Sequence, residues 1–305
     1  MKRAYLIDRE SLGGGMEYIR RKIAAHAGDE CAVFFSCKGE CTARNMNRWG
    51  AGEIHANHLK ALFQLFRNPF VRPRAKVVFT VHGLHLRKYG FLPKTVPNRL
   101  KRALRLSLER WLYAKCDRIV ALTPTDAADV KRLYGENLPV DIEPNSVDKA
   151  DFLREEGMPL KYAECEFAYI CIARFDFPKG IDVLIEAASL AQDQLRGSSR
   201  RILLIGDGPE YGSMKRLAAE RGVEDVVEFA GAIPNAGAYM KCAGCVVSPS
   251  RWEGMPYLML EAVAKGCKVI ASDCPGNRDV LAGYPDARFF PVEDARALAK
   301  LLAEG

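Results

Sequence analysis

Short apolar runs alternate with longer amphipathic segments along most of this 305-residue chain, and this alternation constrains its fold more than any other feature. The runs are rich in β-branched and aromatic residues, as are strands that are buried on both faces of a parallel sheet. Two examples are Lys-Val-Val-Phe-Thr-Val at 76–81 and Arg-Ile-Leu-Leu-Ile at 201–205. Strands that alternate with helices predict a parallel α/β sheet.

The alternation occurs twice. One series of strands and helices runs from residue 4 to residue 134, and a second begins at residue 167. The length suits two domains of ordinary size. We therefore predict an α/β protein with two Rossmann-like domains, residues 1–150 and 151–305. The carboxyl edges of their sheets are expected to face each other across a cleft.

The composition limits the classes of protein to which this chain can belong. No apolar run reaches the ~18 residues that span a bilayer, and no signal-peptide core begins the chain. The ten cysteines are scattered, as in a protein with reduced thiols. Cys242-x-x-Cys245 leaves a metal or redox pair open, but no second pair with zinc spacing accompanies it, and a helix end that runs into a buried strand is favoured. We expect a soluble, cytoplasmic protein.

Two glutamates, Glu253 and Glu261, stand in the run Ser-Pro-Ser-Arg-Trp-Glu-Gly-Met-Pro-Tyr-Leu-Met-Leu-Glu-Ala-Val-Ala-Lys-Gly at 248–266. Gly254 allows an unusual turn, Pro256 suits a first helical turn, and the closing glycine suits a left-handed helix end. One carboxylate thus precedes a helix N-terminus and the other lies within the helix. Because a helix start attracts anions, this pattern favours a ligand with phosphates and hydroxyl groups.

This run resembles the Glu-x7-Glu signature of family-4 retaining glycosyltransferases with the GT-B fold. The resemblance implies that Glu253 binds hydroxyls of the transferred sugar at the catalytic centre and that Glu261 binds the ribose of the nucleotide. An ordinary helix with a solvated glutamate at each end is the plain alternative. The predicted donor contacts at the helix start are Gly254, Met255, Pro256 and Tyr257.

Two cations, Arg174 and Lys179, flank a turn in the segment Arg-Phe-Asp-Phe-Pro-Lys-Gly, which follows one strand and opens a helix. Cations so placed can hold a diphosphate from two sides. The segment resembles the family's Gly-Arg-…-Lys-Gly element, with Ala173 in place of the usual glycine. The resemblance implies that both residues bind the donor diphosphate and stabilise it as it departs, so that no metal ion is needed. Surface charges at a helix start are the alternative.

Further contacts follow from weaker resemblances. Gly14 and Gly15 belong to a glycine loop after the first strand, where the family binds donor phosphate or acceptor. His82 ends a buried strand, and the resemblance places it beside the transferred sugar; a packed or capping histidine is the alternative. Gly206 and Ile233 lie in strand-ending loops that resemble those bordering the nucleoside, although turn formation alone explains their composition.

The net charge of +7 is unevenly distributed. Residues 60–118 hold 15 Lys and Arg against two acidic residues, and a helix at about 98–114 is both basic and amphipathic. Such a helix suits an anionic membrane surface, whereas a core-packed helix with a solvated basic face is the alternative. Nucleic acid is not expected as a partner, since no stacking-aromatic pattern accompanies the charge.

The resemblance therefore implies a retaining glycosyltransferase that is independent of metal ions. It would move a sugar from a UDP- or GDP-sugar donor to a glycan or lipid-linked acceptor, in cell-surface polysaccharide or glycolipid synthesis. Two alternatives share the scaffold: a sugar-nucleotide 2-epimerase, which would convert the donor without an acceptor, and a non-catalytic protein that binds nucleotide-sugar. NMR of an incubation with donor alone distinguishes the first of these from a transferase.

Overall fold

The computed structural model describes residues 1–8, 14–147 and 167–305. Packing of the chain divides it into two units, Met1–Asn145 and Ser146–Gly305. The predicted domain boundary at 150/151 lies outside the described residues, as do the first residues of the predicted glycine loop. Each unit has its own sheet and core, which confirms the predicted α/β fold with two Rossmann-like domains.

The first unit is built on a parallel sheet whose described strands have the order β2-β1-β3-β4-β5-β6. Those strands are β1 (Lys2–Ile7), β2 (Glu30–Phe35), β3 (Glu53–Ala56), β4 (Lys76–Val81), β5 (Arg118–Ala121) and β6 (Val140–Ile142). The helices between them are α1 (Gly14–Ala25), α2 (Ala43–Trp49), α3 (Leu59–Phe66), α4 (Lys88–Phe91), α5 (Val96–Tyr113) and α6 (Pro124–Tyr134). A continuous core includes Leu6, Ile54, Leu62 and Ile119.

The second unit repeats the plan, with described strands in the order β12-β11-β10-β7-β8-β9. Those strands are β7 (Phe167–Ile172), β8 (Ile202–Ile205), β9 (Val227–Gly231), β10 (Ala243–Ser248), β11 (Lys268–Ser272) and β12 (Ala287–Phe290). Its helices are α7 (Ile181–Leu190), α8 (Gln192–Gly197), α9 (Tyr211–Glu220), α10 (Tyr257–Ala264), α11 (Pro275–Leu281) and α12 (Ala295–Glu304).

Both faces of the second sheet are covered. Tyr169 and Cys171 pack into a core on one face, while Ile170, between them, packs into a separate core on the other. This is the two-residue period of a strand that is buried on both sides. The last helix, α12, closes the first of these cores with Leu298 and Leu302, and the Tyr169 hydroxyl donates to Leu302 O at 2.6 Å.

The predicted helix ends around the motif are confirmed in part. Gly266 takes a left-handed φ of 68° directly after the end of α10, as the sequence predicts. Gly254 does not adopt the unusual turn that the sequence suggests, since it is not among the glycines with a positive φ. The loop that carries Gly254 instead packs tightly on Gly276, where an added Cβ would lie 2.4 Å from Gly254 O. Close packing, rather than an unusual φ, is what this loop requires.

Among the described residues, no helix combines the length and the apolar character needed to cross a bilayer.

Candidate active site

The loop between β10 and α10 brings the first glutamate of the motif to two polar partners. Glu253 Oε1 accepts hydrogen bonds from Ser250 Oγ at 2.7 Å and from Lys179 Nζ at 2.6 Å. The side chain of Glu253 is 12% exposed and that of Lys179 is 28% exposed. The structure therefore brings together two predicted site residues that are far apart in sequence, in a pair that is shielded from water yet reachable by a ligand.

Lys179 reaches this loop because of the glycine that follows it. The 3-10 turn Phe177–Lys179 ends at Gly180, whose φ is 63°. A Cβ on Gly180 would lie 2.2 Å from Pro249 O, far inside contact distance. Only glycine therefore lets this turn pack on the loop that carries the glutamate.

The Glu253 carboxylate controls the ionisation of Lys179. Burial alone would lower the pKa of Lys179, but the charge of Glu253 and the hydrogen bond to it outweigh burial, and the pKa is raised. The amine is therefore a permanent cation at neutral pH. The site presents this cation beside a carboxylate that can accept hydrogen bonds from sugar hydroxyls.

Arg174 follows β7 and is the more exposed of the two predicted cations. Its side chain is 59% exposed, and its Nε lies 3.3 Å from Asp176 Oδ2. The second oxygen, Asp176 Oδ1, is buried and has no hydrogen-bond partner among the described residues. Burial raises the pKa of Asp176, with Arg174 and Lys179 opposing the shift. This unsatisfied acceptor beside the site was not found from the sequence, since nothing in the local pattern marks its burial.

Arg251 anchors the loop from behind and is a second residue that the sequence reasoning missed. It is 5% exposed, and it binds both carboxylate oxygens of Asp182 at 3.0 and 2.6 Å. It also donates to Phe177 O at 2.7 Å and to Glu293 Oε1 at 2.5 Å, while its backbone N–H donates to Pro178 O at 2.7 Å. This arginine therefore ties the glutamate loop to the turn that carries Lys179.

The helix of the motif begins where the sequence predicts. Pro256 is the N-cap of α10 and Tyr257 its first residue, so that Met255 lies in the loop just before the cap. The first turn of such a helix directs backbone N–H groups and the positive end of the helix dipole outward. Glu261 lies one turn beyond Tyr257 on the same face of α10, and both side chains are partly exposed.

The two remaining predicted donor contacts of this unit lie on the same sheet edge. Gly206 follows β8 with a φ of 141°, and a Cβ there would lie 1.8 Å from Ala173 O. Ile233 follows β9 and is partly exposed. Because β7, β8 and β9 are parallel neighbours, the residues that follow them, including Arg174, share one edge of the sheet with the loop after β10.

His82, Gly14 and Gly15 belong to the first unit. Gly14 and Gly15 open α1, and Tyr18, one turn further on, contacts the His82 ring edge-on with centroids 4.8 Å apart. His82 Nε2 lies 3.4 Å from Asn57 Oδ1. Burial lowers the pKa of His82 to about 4, so the ring is neutral at pH 7.

No group of three or more His, Cys, Asp or Glu side chains in the described part of the chain is arranged to hold a metal ion. Eight cysteines of that part are free thiols. Burial raises the pKa of Cys245 to about 12, which leaves its thiol protonated and unreactive at neutral pH.

Comparison with known proteins extends these observations. Residues 160–304 match the family described as Glycosyl transferases group 1, and residues 42–151 match Glycosyltransferase Family 4. The chain is 30% identical over 161 residues to WcaL of Escherichia coli, named as a colanic acid biosynthesis glycosyltransferase, covering 50% of this chain and 39% of WcaL. It spans 39 to 61% of the length of the first curated relatives that it matches.

Two solved structures show the same fold along the whole chain. Sucrose-phosphate synthase from Thermosynechococcus elongatus superposes with a TM-score of 0.78 at 20% identity, covering 100% of this chain and 89% of the synthase. HepE from Anabaena, in complex with UDP and glucose, superposes with a TM-score of 0.71 at 16% identity, with the same coverage. The fold is thus GT-B, two Rossmann-like units in one chain. The protein belongs to the family-4 glycosyltransferases.

Proposed function

We propose that this protein is a retaining glycosyltransferase that moves a sugar from a UDP- or GDP-sugar to a glycan or lipid-linked acceptor. The process served would be the synthesis of a cell-surface polysaccharide or glycolipid. The observation that carries the proposal is the convergence of Lys179 and Ser250 on Glu253, immediately before the helix that bears Glu261. This arrangement joins a cation, a sugar-binding carboxylate and a helix start within one site.

The chemistry follows from where charge develops. As the bond between the anomeric carbon and the diphosphate oxygen breaks, negative charge grows on the departing diphosphate. Lys179 and Arg174 are proposed to bind that group and to stabilise it more strongly as it leaves, which lowers the barrier. The acceptor hydroxyl oxygen bonds to the anomeric carbon on the same face, and its proton passes to the departing phosphate oxygen. Glu253 orients the sugar through its hydroxyls.

Metal independence is part of the proposal. A diphosphate needs positive charge in its surroundings, and the second unit supplies it through the fixed ammonium of Lys179, the exposed guanidinium of Arg174 and the start of α10. Asp176 Oδ1 is buried and has no hydrogen-bond partner in the described part of the chain, which supports a ligand that brings hydrogen-bond donors. HepE was solved with UDP and glucose, which makes UDP-sugars the first donors to test. The position of His82 beside the transferred sugar stays a prediction from the resemblance.

The donor site can be tested by thermal shift with UDP-, GDP- and ADP-sugars in the presence of EDTA. A ligand that binds the folded protein at 100 times its Kd adds about 2.7 kcal/mol of stability. We expect one UDP- or GDP-sugar to raise the unfolding temperature, and K179A and E261A to abolish that rise. Each variant is compared with its own ligand-free state. Lys300→Ala and Glu220→Ala, at exposed positions of the same unit, should respond like the wild type; an intact shift in K179A and E261A would refute the site.

A membrane surface is the proposed second partner. The apolar side chains Val96, Leu100 and Leu104 recur at every fourth position of α5 and are 76%, 60% and 62% exposed. They form an apolar stripe that no element of the described ranges covers, on a helix that is strongly basic. Apolar insertion combined with attraction to anionic lipid supports docking of this helix on a bilayer, where a lipid-linked acceptor would lie.

Vesicle flotation tests this surface. Vesicles rich in phosphatidylserine should carry the wild type at low salt, and the double variant with Leu100→Ser and Leu104→Ser should float several-fold less. Leu190→Ser is the matched control, since Leu190 is 56% exposed in the other unit and its replacement should change nothing. Absence of flotation for the wild type, or equal flotation of all three proteins, would contradict the proposal.

A further inference from the structure

Four buried polar residues lie directly behind the loop that carries Glu253. Ser248 and Ser272 end the neighbouring strands β10 and β11. Ser250 lies in the loop itself, and Asn277 lies in α11. Each of the four is at most 4% exposed, and polar groups are costly at such burial unless they are hydrogen-bonded. We call these four residues the serine-asparagine network.

The hydrogen bonds of this network run in one direction. Asn277 Nδ2 lies 3.1 Å from Ser272 O, and because a carbonyl can only accept, the amide nitrogen must face it. The same nitrogen donates to Ser272 Oγ at 3.2 Å. Ser272 Oγ donates to Ser250 O, and Ser250 Oγ donates to Glu253 Oε1 at 2.7 Å. The donors therefore lead from the asparagine to the carboxylate.

Ser248 adds a second, longer branch to the network. Its Oγ lies 3.5 Å from both Ser250 Oγ and Asn277 Nδ2. Because the proton of Ser250 is donated to Glu253, Ser248 is the donor to Ser250. The amide oxygen Oδ1 of Asn277 is buried and has no hydrogen-bond partner among the described residues. A buried acceptor in this state costs stability, and such exceptions concentrate at functional sites.

The network holds one oxygen of the Glu253 carboxylate in place. Oε1 accepts from both Ser250 Oγ and Lys179 Nζ, so the carboxylate cannot rotate without losing two hydrogen bonds. Hydrogen bonds to a charged group are about twice as strong as those between neutral groups, and donors linked in series strengthen one another. A side chain that orients a ligand has to be held within about 0.5 Å of its productive position, and this network can do so.

We propose that Asn277 and Ser250 are positioning residues for recognition of the donor sugar, and that they act through Glu253. The inference rests on the proposed function for the identity of the donor and deepens it, because it names residues that set affinity for the sugar without touching it. The proposed site binds the diphosphate through other groups, Lys179 and Arg174. Loss of the network should therefore weaken binding of the nucleotide-sugar and spare the nucleoside diphosphate.

Isothermal titration calorimetry in EDTA tests the inference with two ligands, the nucleotide-sugar that binds best and its nucleoside diphosphate. Ser250→Ala should weaken binding of the nucleotide-sugar at least about tenfold, because a hydrogen bond to a charged group is lost, and that of the diphosphate less than about threefold. Asn277→Asp keeps the shape of the side chain, removes its amide donors and should show the same difference. Ser198→Ala removes a hydroxyl that donates to Gln194 O at 2.6 Å, at the exposed end of α8, and should change neither affinity.

A double-mutant cycle with Glu253→Ala distinguishes positioning from an independent role. If Ser250 acts through Glu253, Ser250→Ala should have no further effect on nucleotide-sugar affinity in the Glu253→Ala protein. Additive losses would overturn the inference, as would an unchanged nucleotide-sugar affinity in Ser250→Ala or equal losses for the two ligands.

Cooperative unfolding above the assay temperature verifies that each variant is folded, and the Ser250 variants decide the outcome if Asn277→Asp does not fold. Absence of nucleotide-sugar binding by the wild type would refute the proposed function and the inference with it. Each of the contradicting results in the variants, obtained while the wild type binds, would overturn the inference alone.

Discussion

Replacing Arg251 tests whether the donor site depends on its internal anchoring. The guanidinium makes four side-chain hydrogen bonds, two to Asp182 and one each to Phe177 O and Glu293. It also lies over the Phe177 ring, 4.1 Å from the ring centroid. Arg251→Met keeps a long apolar stem and removes all of these bonds, whereas Arg251→Lys keeps the charge and loses the bidentate geometry.

The expected loss of stability depends on the carboxylates that remain when the arginine is removed. Removing one partner of a buried ion pair costs about 3–5 kcal/mol. Here Asp182 and Glu293 are 35% and 43% exposed and can be hydrated again, so that the cost falls to about 2–3 kcal/mol. For a unit of this size the unfolding temperature should drop by about 4–12 °C. Arg251→Lys should lie between Arg251→Met and the wild type.

The assay is thermal unfolding of the second unit, combined with nucleotide-sugar affinity for the protein that remains folded. Arg251 is not proposed to touch the donor, so its effect on affinity would arise from a displaced Glu253 loop. We expect Arg251→Met to weaken donor binding at least about tenfold, which corresponds to about 1.4 kcal/mol. An unfolding temperature within about 1 °C of the wild type would refute the anchoring role.

Further predictions concern the backbone and pH. Gly180→Ala should destabilise the second unit by at least about 1–2 kcal/mol and weaken donor binding, because its Cβ would strain a left-handed residue and meet Pro249 O. Gly197 lies in α8, and a Cβ there would have no atom within 4 Å. Gly197→Ala should therefore leave stability unchanged or raise it, and equal losses in the two variants would contradict this account. Burial is the main cause that lowers the pKa values of His55 and His82 to about 4. The neutral histidines contribute fully to stability above about pH 6.5, and this contribution is lost as the pH falls toward 4. At pH 5 the loss is at most about 2 kcal/mol for each histidine. An unfolding temperature of the first unit that is equal at pH 7.5 and pH 5 would rule out this pH dependence.

Much of the fold could be predicted because buried parallel strands leave an uninterrupted apolar signal. The run 76–81 predicted β4 at the bounds that the structure has. Edge strands were harder to predict: β6 is only three residues long, and two of them are exposed, so its apolar pattern is weak. β12 was not predicted at all, because two of its four residues are exposed and its apolar pattern is short.

The candidate site, too, could be predicted only in part from the sequence. Motif spacing located Glu253 and Lys179, but not that their side chains meet, since 74 residues separate them. That contact depends on the close approach of Gly180 to Pro249, a tertiary feature without a local signature. Arg251 was overlooked for a related reason: an arginine inside a loop is expected to be exposed, and its burial appears only when α7 and the loop before α12 surround it.

Amide hydrogen exchange with and without a nucleotide-sugar, in EDTA, tests the central claim most directly. The account predicts that a UDP- or GDP-sugar slows exchange at the turn around Lys179 and along the loop and first turn that join Glu253 to Glu261, without added metal. Protection confined to other segments, or binding that EDTA abolishes and a divalent cation restores, would contradict it.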